Sequence, residues 1–274
     1  TNQKQLVATP GSQWSNKELE YFKIECANVK DFKNFFQESP PKIESFFEKV
    51  KEALSIDISR QDAVEKTDWG SIKCKEIFKL AKSILAVTKV HPNVEGTVDN
   101  LARRILELFD YDEGDLYIQS RNEVKLEMCG SQTYAKPDLC VELYNLQIKL
   151  LIQEDKSYKA SNQDTDAEFQ VIAEAIVSFQ ENSKIKKFKP PLESQLIPCI
   201  TLLGTYPTFY LFEVTRKLSE CVKMGNRPEE KTIVKKYDFP VLPYLFKDVM
   251  LVQEHRKHIF QCYEAFKKFV VRNN

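Results

Sequence analysis

Asp138, Glu154 and Lys156 are the side chains whose types and spacing best fit a chemical task. Asp138 closes the chain's only Pro-Asp dipeptide, and Glu154 follows it by sixteen positions within Gln153-Glu154-Asp155-Lys156. Between them lie two short apolar runs, Leu139-Cys140-Val141-Glu142-Leu143 and Ile148-Lys149-Leu150-Leu151-Ile152, joined by Tyr144-Asn145-Leu146-Gln147. This pattern predicts a β-hairpin. Ile148, Leu150, Ile152, Glu154 and Lys156 share one parity and so one face of the second strand. A turn centred on Leu146 sets Asp138 opposite Glu154. Two carboxylates facing each other repel unless a cation or a raised pKa relieves them. With Lys156 on the same face, the set suits a hard divalent metal, Mg²⁺ or Mn²⁺, and an anionic substrate. The plainer alternative is a pair of solvated acids at strand ends, with Lys156 in a salt bridge to Glu154 or Asp155.

Glu-x-Lys alone says little, since Glu123-Val124-Lys125 and Glu229-Glu230-Lys231 also contain it. What distinguishes Glu154-x-Lys156 is that it ends an apolar strand and that Pro137-Asp138 opens the strand before it.

The elements that must hold these residues can be read from periodicity. From about Ser15 to Leu54 the pattern is helical, in two apolar sets broken at Pro40-Pro41, and a further helix is expected over Ser71–Thr88. His91-Pro92 opens a helix running to about Phe109, with Pro92 suited to its first turn. Leu116–Met128 alternates as one strand, and the hairpin follows. Thr165 is an N-cap candidate with Glu168 at the capping-box position of the next helix. Strands are expected at Ile197–Leu203 and Thr208–Val214, a helix at Arg216–Met224, an extended run at Thr232–Phe239 and a helix at Met250–Val271.

Composition bounds the functional classes. The chain has 274 residues, 42% of them hydrophobic, enough for a large core. Only 7 Gly are present, and no glycine-rich phosphate loop appears. Forty basic and forty acidic residues balance, which leaves room for a local basic groove but not for a surface basic throughout. The 7 Cys are scattered and never form C-x-x-C, so buried free thiols are expected rather than disulfides or zinc ligands. Without a signal-like leader or a bilayer-length apolar run, the chain reads as intracellular, nuclear or cytoplasmic, with no membrane partner. No G-x-S-x-G motif points to a triad hydrolase. His255 and His258 are spaced i, i+3 without supporting ligands and do not read as a metal pair. The basic run Lys184–Lys189 is either a nucleic-acid contact or a solvated face.

The order helix, strand, hairpin, helix, strand, strand resembles the αβββαβ core of PD-(D/E)XK nucleases across roughly residues 92–215. Ala135-Lys136-Pro137-Asp138-Leu139-Cys140, Leu151-Ile152-Gln153-Glu154-Asp155-Lys156 and Gln170-Val171-Ile172-Ala173-Glu174-Ala175-Ile176 are similar to an expanded family of uncharacterised fungal proteins. So are Gly204-Thr205-Tyr206-Pro207-Thr208-Phe209-Tyr210 and Cys262-Tyr263-Glu264-Ala265-Phe266-Lys267. That family is grouped with PD-(D/E)XK-like domains, and the resemblance runs from residue 92 to the C-terminus.

The resemblance implies an α/β, restriction-endonuclease-like fold with a mixed central sheet over residues 91–274, preceded by a helical N-terminal extension over 1–90. It implies hydrolysis of DNA, or of RNA, by metal-activated water with in-line displacement. Asp138 and Glu154 would hold the metal, joined by the helix-borne Glu95, with Asp99 one turn along as the spare. Lys156 would be the catalytic cation. Gln170 matches the glutamine that many members hold beside the site, and Glu174 one turn later would extend the acidic cluster. The rival reading is a catalytically inactive module that keeps the fold as an interaction or effector domain.

Overall fold

The computed structural model describes residues 6–58, 70, 72, 74–89, 96–120, 123–154, 166–185, 192–239 and 248–271. The helices are α1 (Asn16–Tyr21), α2 (Phe32–Phe36), α3 (Glu48–Ser55), α4 (Lys75–Lys89), α5 (Thr97–Leu108), α6 (Asp166–Asn182), α7 (Arg216–Met224) and α8 (Gln253–Val271). The strands are β1 (Ile24–Asn28), β2 (Leu116–Ser120), β3 (Val124–Met128), β4 (Ser131–Ala135), β5 (Leu139–Leu143), β6 (Ile148–Glu154), β7 (Ser194–Leu203), β8 (Tyr206–Thr215) and β9 (Thr232–Asp238).

Among the described residues, seven strands form one mixed sheet in the order β1-β9-β8-β7-β6-β5-β2. The β6/β7 and β1/β9 pairs are parallel and the other neighbours antiparallel. Strands β5 to β8 are nearly continuous apolar runs because the central sheet is covered on both faces. Leu139, Val141, Leu150, Ile152, Ile200 and Leu202 face a core shared with α2, α3, α4, α5 and α8. Cys140, Leu151, Cys199, Tyr210 and Phe212 face the opposite core, built with α1, α6 and α7.

Helix α6 links the parallel strands β6 and β7 and is buried on all sides from Val171 to Gln180. Such a helix must satisfy its polar side chains internally. Gln180 does so on β3, donating to Glu127 O at 3.1 Å and accepting from Glu127 N at 2.9 Å. Asn182 treats Ile148 at the start of β6 in the same way, at 2.9 Å in both directions. The turn Gly11–Gln13 lies so close that a Cβ on Gly11 would fall 2.9 Å from Ala135 Cβ and 3.4 Å from Ala173 Cβ.

Two expectations are corrected. Residues 1–90 do not form only a helical extension: β1 interrupts the helical pattern and pairs in parallel with β9, extending the sheet's edge. Lys23, at φ 51°, ends the α1 turn and redirects the chain into that strand. Nor is Leu116–Met128 one strand. β2 stays in the main sheet beside β5, while β3 pairs with β4 around Cys129-Gly130. Both turn residues have positive φ, 51° and 72°, the left-handed geometry that a two-residue hairpin favours. The turn docks on the end of α7, where Cys129 N donates to Val222 O at 2.9 Å and Gly130 N to Lys223 O at 2.7 Å. These bonds occupy carbonyls that a helix C-terminus leaves open.

The C-terminal helix is fixed by Arg256, which is 1% exposed. Its Nη1 donates to Met250 O at 2.8 Å, and its Nη2 to Leu54 O at 3.1 Å and Ile56 O at 2.5 Å, tying the end of α3 to α8. Asp57 favours its charge, but burial dominates and pulls the guanidinium pKa down to about 10. His258 shares a hydrogen bond of 2.9 Å with Tyr237 and stacks on Phe239, 4.5 Å between centroids. It is thus part of an aromatic cluster, and all seven cysteines are free thiols.

Candidate active site

The β5–β6 register decides which side chains meet Asp138. The turn is centred on Asn145, with Leu143 N bonded to Gln147 O, so Glu142 faces Ile148. The next pair is Val141 with Leu150, which leaves Lys149 as a bulge. From there Cys140 faces Leu151 and Leu139 faces Ile152. The expected pairing of Asp138 with Glu154 is therefore corrected by one residue, and Asp138 falls level with Gln153. The side chains confirm it: Gln153 Nε2 donates to Asp138 Oδ2 at 2.6 Å, and Gln153 is 4% exposed.

The row continues across the sheet. Gln153 lies beside Thr201 of β7, Thr201 opposite Thr208 of β8, and Thr208 opposite Asp238 of β9. Partners in register share a face, so these side chains lie on the α6 side. Two residues further in, Cys140, Leu151, Cys199, Tyr210 and Lys236 form a second row on that face.

Helix α6 lays three polar side chains over these rows. Glu168 Oε2 accepts from Lys236 Nζ at 2.8 Å and from Tyr210 OH at 3.1 Å, so its carboxylate clamps α6 to β8 and β9. Burial works to lower the Lys236 pKa, but Glu168 outweighs it and the ammonium is held above its usual value. The capping partner expected for Glu168, Thr165, lies outside the described residues. Gln170 Nε2 donates to Glu174 Oε1 at 3.0 Å. Glu174 is fully buried, and its Oε2 has no hydrogen-bond partner. Burial pushes the Glu174 carboxyl well above the usual range; the Gln170 bond opposes this and the negative charge of Asp138 adds to it.

Of the residues singled out by sequence, Asp138 and Gln170 thus reach the same corner, joined there by Gln153 and Glu174. Glu95 and Lys156 lie outside the described residues. Glu154 is described in its backbone alone, paired with Leu202 of β7. Asp99 is in the first turn of α5, whose apolar side chains pack on the sheet face opposite α6. Lys184, the described start of the basic run, is paired with Glu181 at 2.6 Å and Glu127 at 3.3 Å. Lys186–Lys189 lie outside the described residues.

Among the described residues, no three His, Cys, Asp or Glu side chains come together as a metal-binding group. The donors at the corner are nevertheless of the right kind for a hard cation: Asp138 and the unsatisfied Glu174 Oε2 are carboxyl oxygens. Mg²⁺ is commonly held by one or two carboxylates, with water completing its shell. A cleft of about 670 Å³ lies elsewhere, between α7 and β9, lined by Lys217, Cys221, Met224 and Ile233 among others. No helix among the described residues is long and apolar enough to cross a membrane. No family model and no curated protein matches this chain. What fold and site define is a mixed α/β protein with a polar corner between its sheet and a buried helix.

Proposed function

We propose that the chain is a divalent-metal-dependent phosphodiesterase that hydrolyses DNA, or RNA, at the Asp138 corner. One observation carries this reading. A half-buried carboxylate at the start of β5, held by Gln153 of β6, lies close enough to Glu174 on the crossover helix for its charge to raise that buried acid. With the separate β3–β4 hairpin taken as an insertion between β2 and β5, the order α5, β2, β5, β6, α6, β7 supports the αβββαβ core that the sequence resembles.

Mg²⁺ or Mn²⁺ would be held by Asp138 and Glu154, with Glu95 as the expected helix-borne partner, and would lower the pKa of a water and stabilise charge on the phosphoryl oxygens. Gln153 holds Asp138 through its 2.6 Å bond to Oδ2. Gln170, tethered to Glu174, would offer its amide oxygen to a water or hydroxyl at the site. Lys156 would supply the positive charge that holds the phosphate. Glu168 and Lys236 neutralise each other and keep α6 seated.

The second reading, a non-catalytic interaction module with this fold, draws on the register: Asp138 is level with an amide, Gln153, and not with Glu154. The two are separated by incubating the protein with linear, circular and single-stranded DNA and with RNA, in Mg²⁺, Mn²⁺ or EDTA. Metal-dependent cleavage lost in Asp138→Asn, Glu154→Ala and Lys156→Ala is the expected result. Cleavage that survives all three would assign the activity to a contaminant. A folded protein inert on every substrate would favour the module.

A further inference from the structure

Glu174 is a costly residue for the position it occupies. Its neighbours on α6, Ala173, Ala175, Ile176 and Val177, are fully buried in an apolar core, where a leucine would pack without any polar requirement. Gln170 satisfies only Oε1. Oε2 is buried and has no hydrogen-bond partner. The charge of Glu174 is felt by Cys140 on β5 and by Cys199 on β7, so it stands over the row Cys140–Leu151–Cys199, one step inward from Asp138 and Gln153. Among the described residues, the charge that acts on it is that of another carboxyl, Asp138, where an ordinary buried acid has a cation. Two acidic groups are thus brought to one corner, and one of them carries a buried oxygen without a hydrogen-bond partner.

We propose that Glu174 is an oxygen ligand, supplied by α6, to the divalent cation held by Asp138. The assignment rests on the metal-dependent reading above and adds to it a ligand from the helix that follows the second hairpin strand. Gln170 then has a second role as a positioning residue, since its bond holds Oε1 and so fixes the orientation of the carboxyl.

The test is Mn²⁺ binding to the full chain, read from loss of the free aqua-Mn²⁺ paramagnetic resonance signal, with melting temperatures taken in EDTA. Wild type, Asp138→Asn, Glu174→Gln and Glu174→Leu are compared. Mn²⁺ should bind the wild type, and both Glu174 variants should bind at least about tenfold more weakly, the scale on which even outer partners of a metal site act. Their melting temperatures in EDTA should be no lower than that of wild type, because each removes an unsatisfied buried acid. If Glu174→Gln does not fold, Glu174→Leu, which requires no polar partner, gives the answer. Unchanged Mn²⁺ affinity in a folded Glu174 variant, with binding lost in Asp138→Asn, overturns the ligand assignment and leaves the metal site standing. A wild type that binds no Mn²⁺ overturns both.

Discussion

Arg256→Met should destabilise the protein by about 3 kcal/mol, although the two side chains are similar in length and the site is apolar. The guanidinium serves three backbone carbonyls, those of Met250, Leu54 and Ile56. Leu54 O keeps a second donor, Gln253 Nε2 at 3.1 Å, so the substitution strips the arginine bond mainly from the other two. Each buried acceptor left open costs about 1–3 kcal/mol, and a backbone carbonyl cannot be removed along with its partner. Relief from burying a cation offsets part of this, since the pKa drawn down to about 10 shows that burial opposes the charge. The remainder is close to the about 3–5 kcal/mol seen when one partner of a buried charged contact is deleted. The check is urea unfolding followed by circular dichroism at pH 6 and pH 8. A loss of this size would lower the melting temperature by roughly 6–12 °C. The loss should be equal at the two pH values. With a folded pKa about 10, below the unfolded value, the unfolded state binds extra protons only above that pKa, so stability changes with pH there and not near neutrality. Arg256→Lys keeps the charge but not the planar fork and should lose about half as much. A loss under about 1 kcal/mol in the methionine variant, or a lysine variant as stable as wild type, would refute the account.

Gly225→Ala should cost about 1–3 kcal/mol in the same assay, because Gly225 has φ 72° and a Cβ would meet Cys129 Sγ at 3.1 Å and Cys129 Cα at 3.2 Å. A neutral result would mean that the Cys129-Gly130 turn can move off α7. Tyr117 has its phenol pushed up to about 12, by burial first and then by its 2.8 Å hydrogen bond to Glu142. The folded state therefore keeps this proton between about pH 10 and 12, and the stability Tyr117 adds is present below pH 10 and lost across that window. Phenolate absorbance, taken as wild type minus Tyr117→Phe, should show a midpoint near 12, moving down in Glu142→Gln; a midpoint near 10 in wild type would contradict the contact.

Much of the sheet was legible because the periodicity of its strands is strong. The runs 197–203 and 208–214 became β7 and β8 with their ends extended, and α7 spans the expected Arg216–Met224. α6 showed itself as a helix apolar nearly all round, though nothing in the sequence marked Gln180 and Asn182 as partners for strand backbone. β1 was hidden because Ile24-Glu25-Cys26-Ala27-Asn28 is short and half polar, as suits an edge strand, and its partner is about 200 residues away. The Cys129-Gly130 turn carried a signal in its glycine that the alternation of flanking residues obscured. At the site, Asp138 and Gln170 could be chosen from residue type and context. Gln153 could not, because a bulge at Lys149 and a turn shifted to Asn145 leave the apolar pattern of the hairpin unchanged while moving its register by one. Contacts such as Glu168 with Lys236 depend on sheet order, which local pattern does not encode.

The parallel pairing of Ile24–Asn28 with Thr232–Lys236 sets a timetable for the making of this protein. β1 leaves the ribosome before the strand it lies against, which is synthesised about 200 residues later, a delay of roughly 10–40 s at ordinary elongation rates. Until then the nascent chain holds Ile24, Cys26 and the phenylalanines of α2 without the surface that buries them, since Phe32, Phe35 and Phe36 pack on Tyr237. The β1–α2 segment can therefore dock only after β9 has been made, and a chaperone that attends this chain has a long-lived client there.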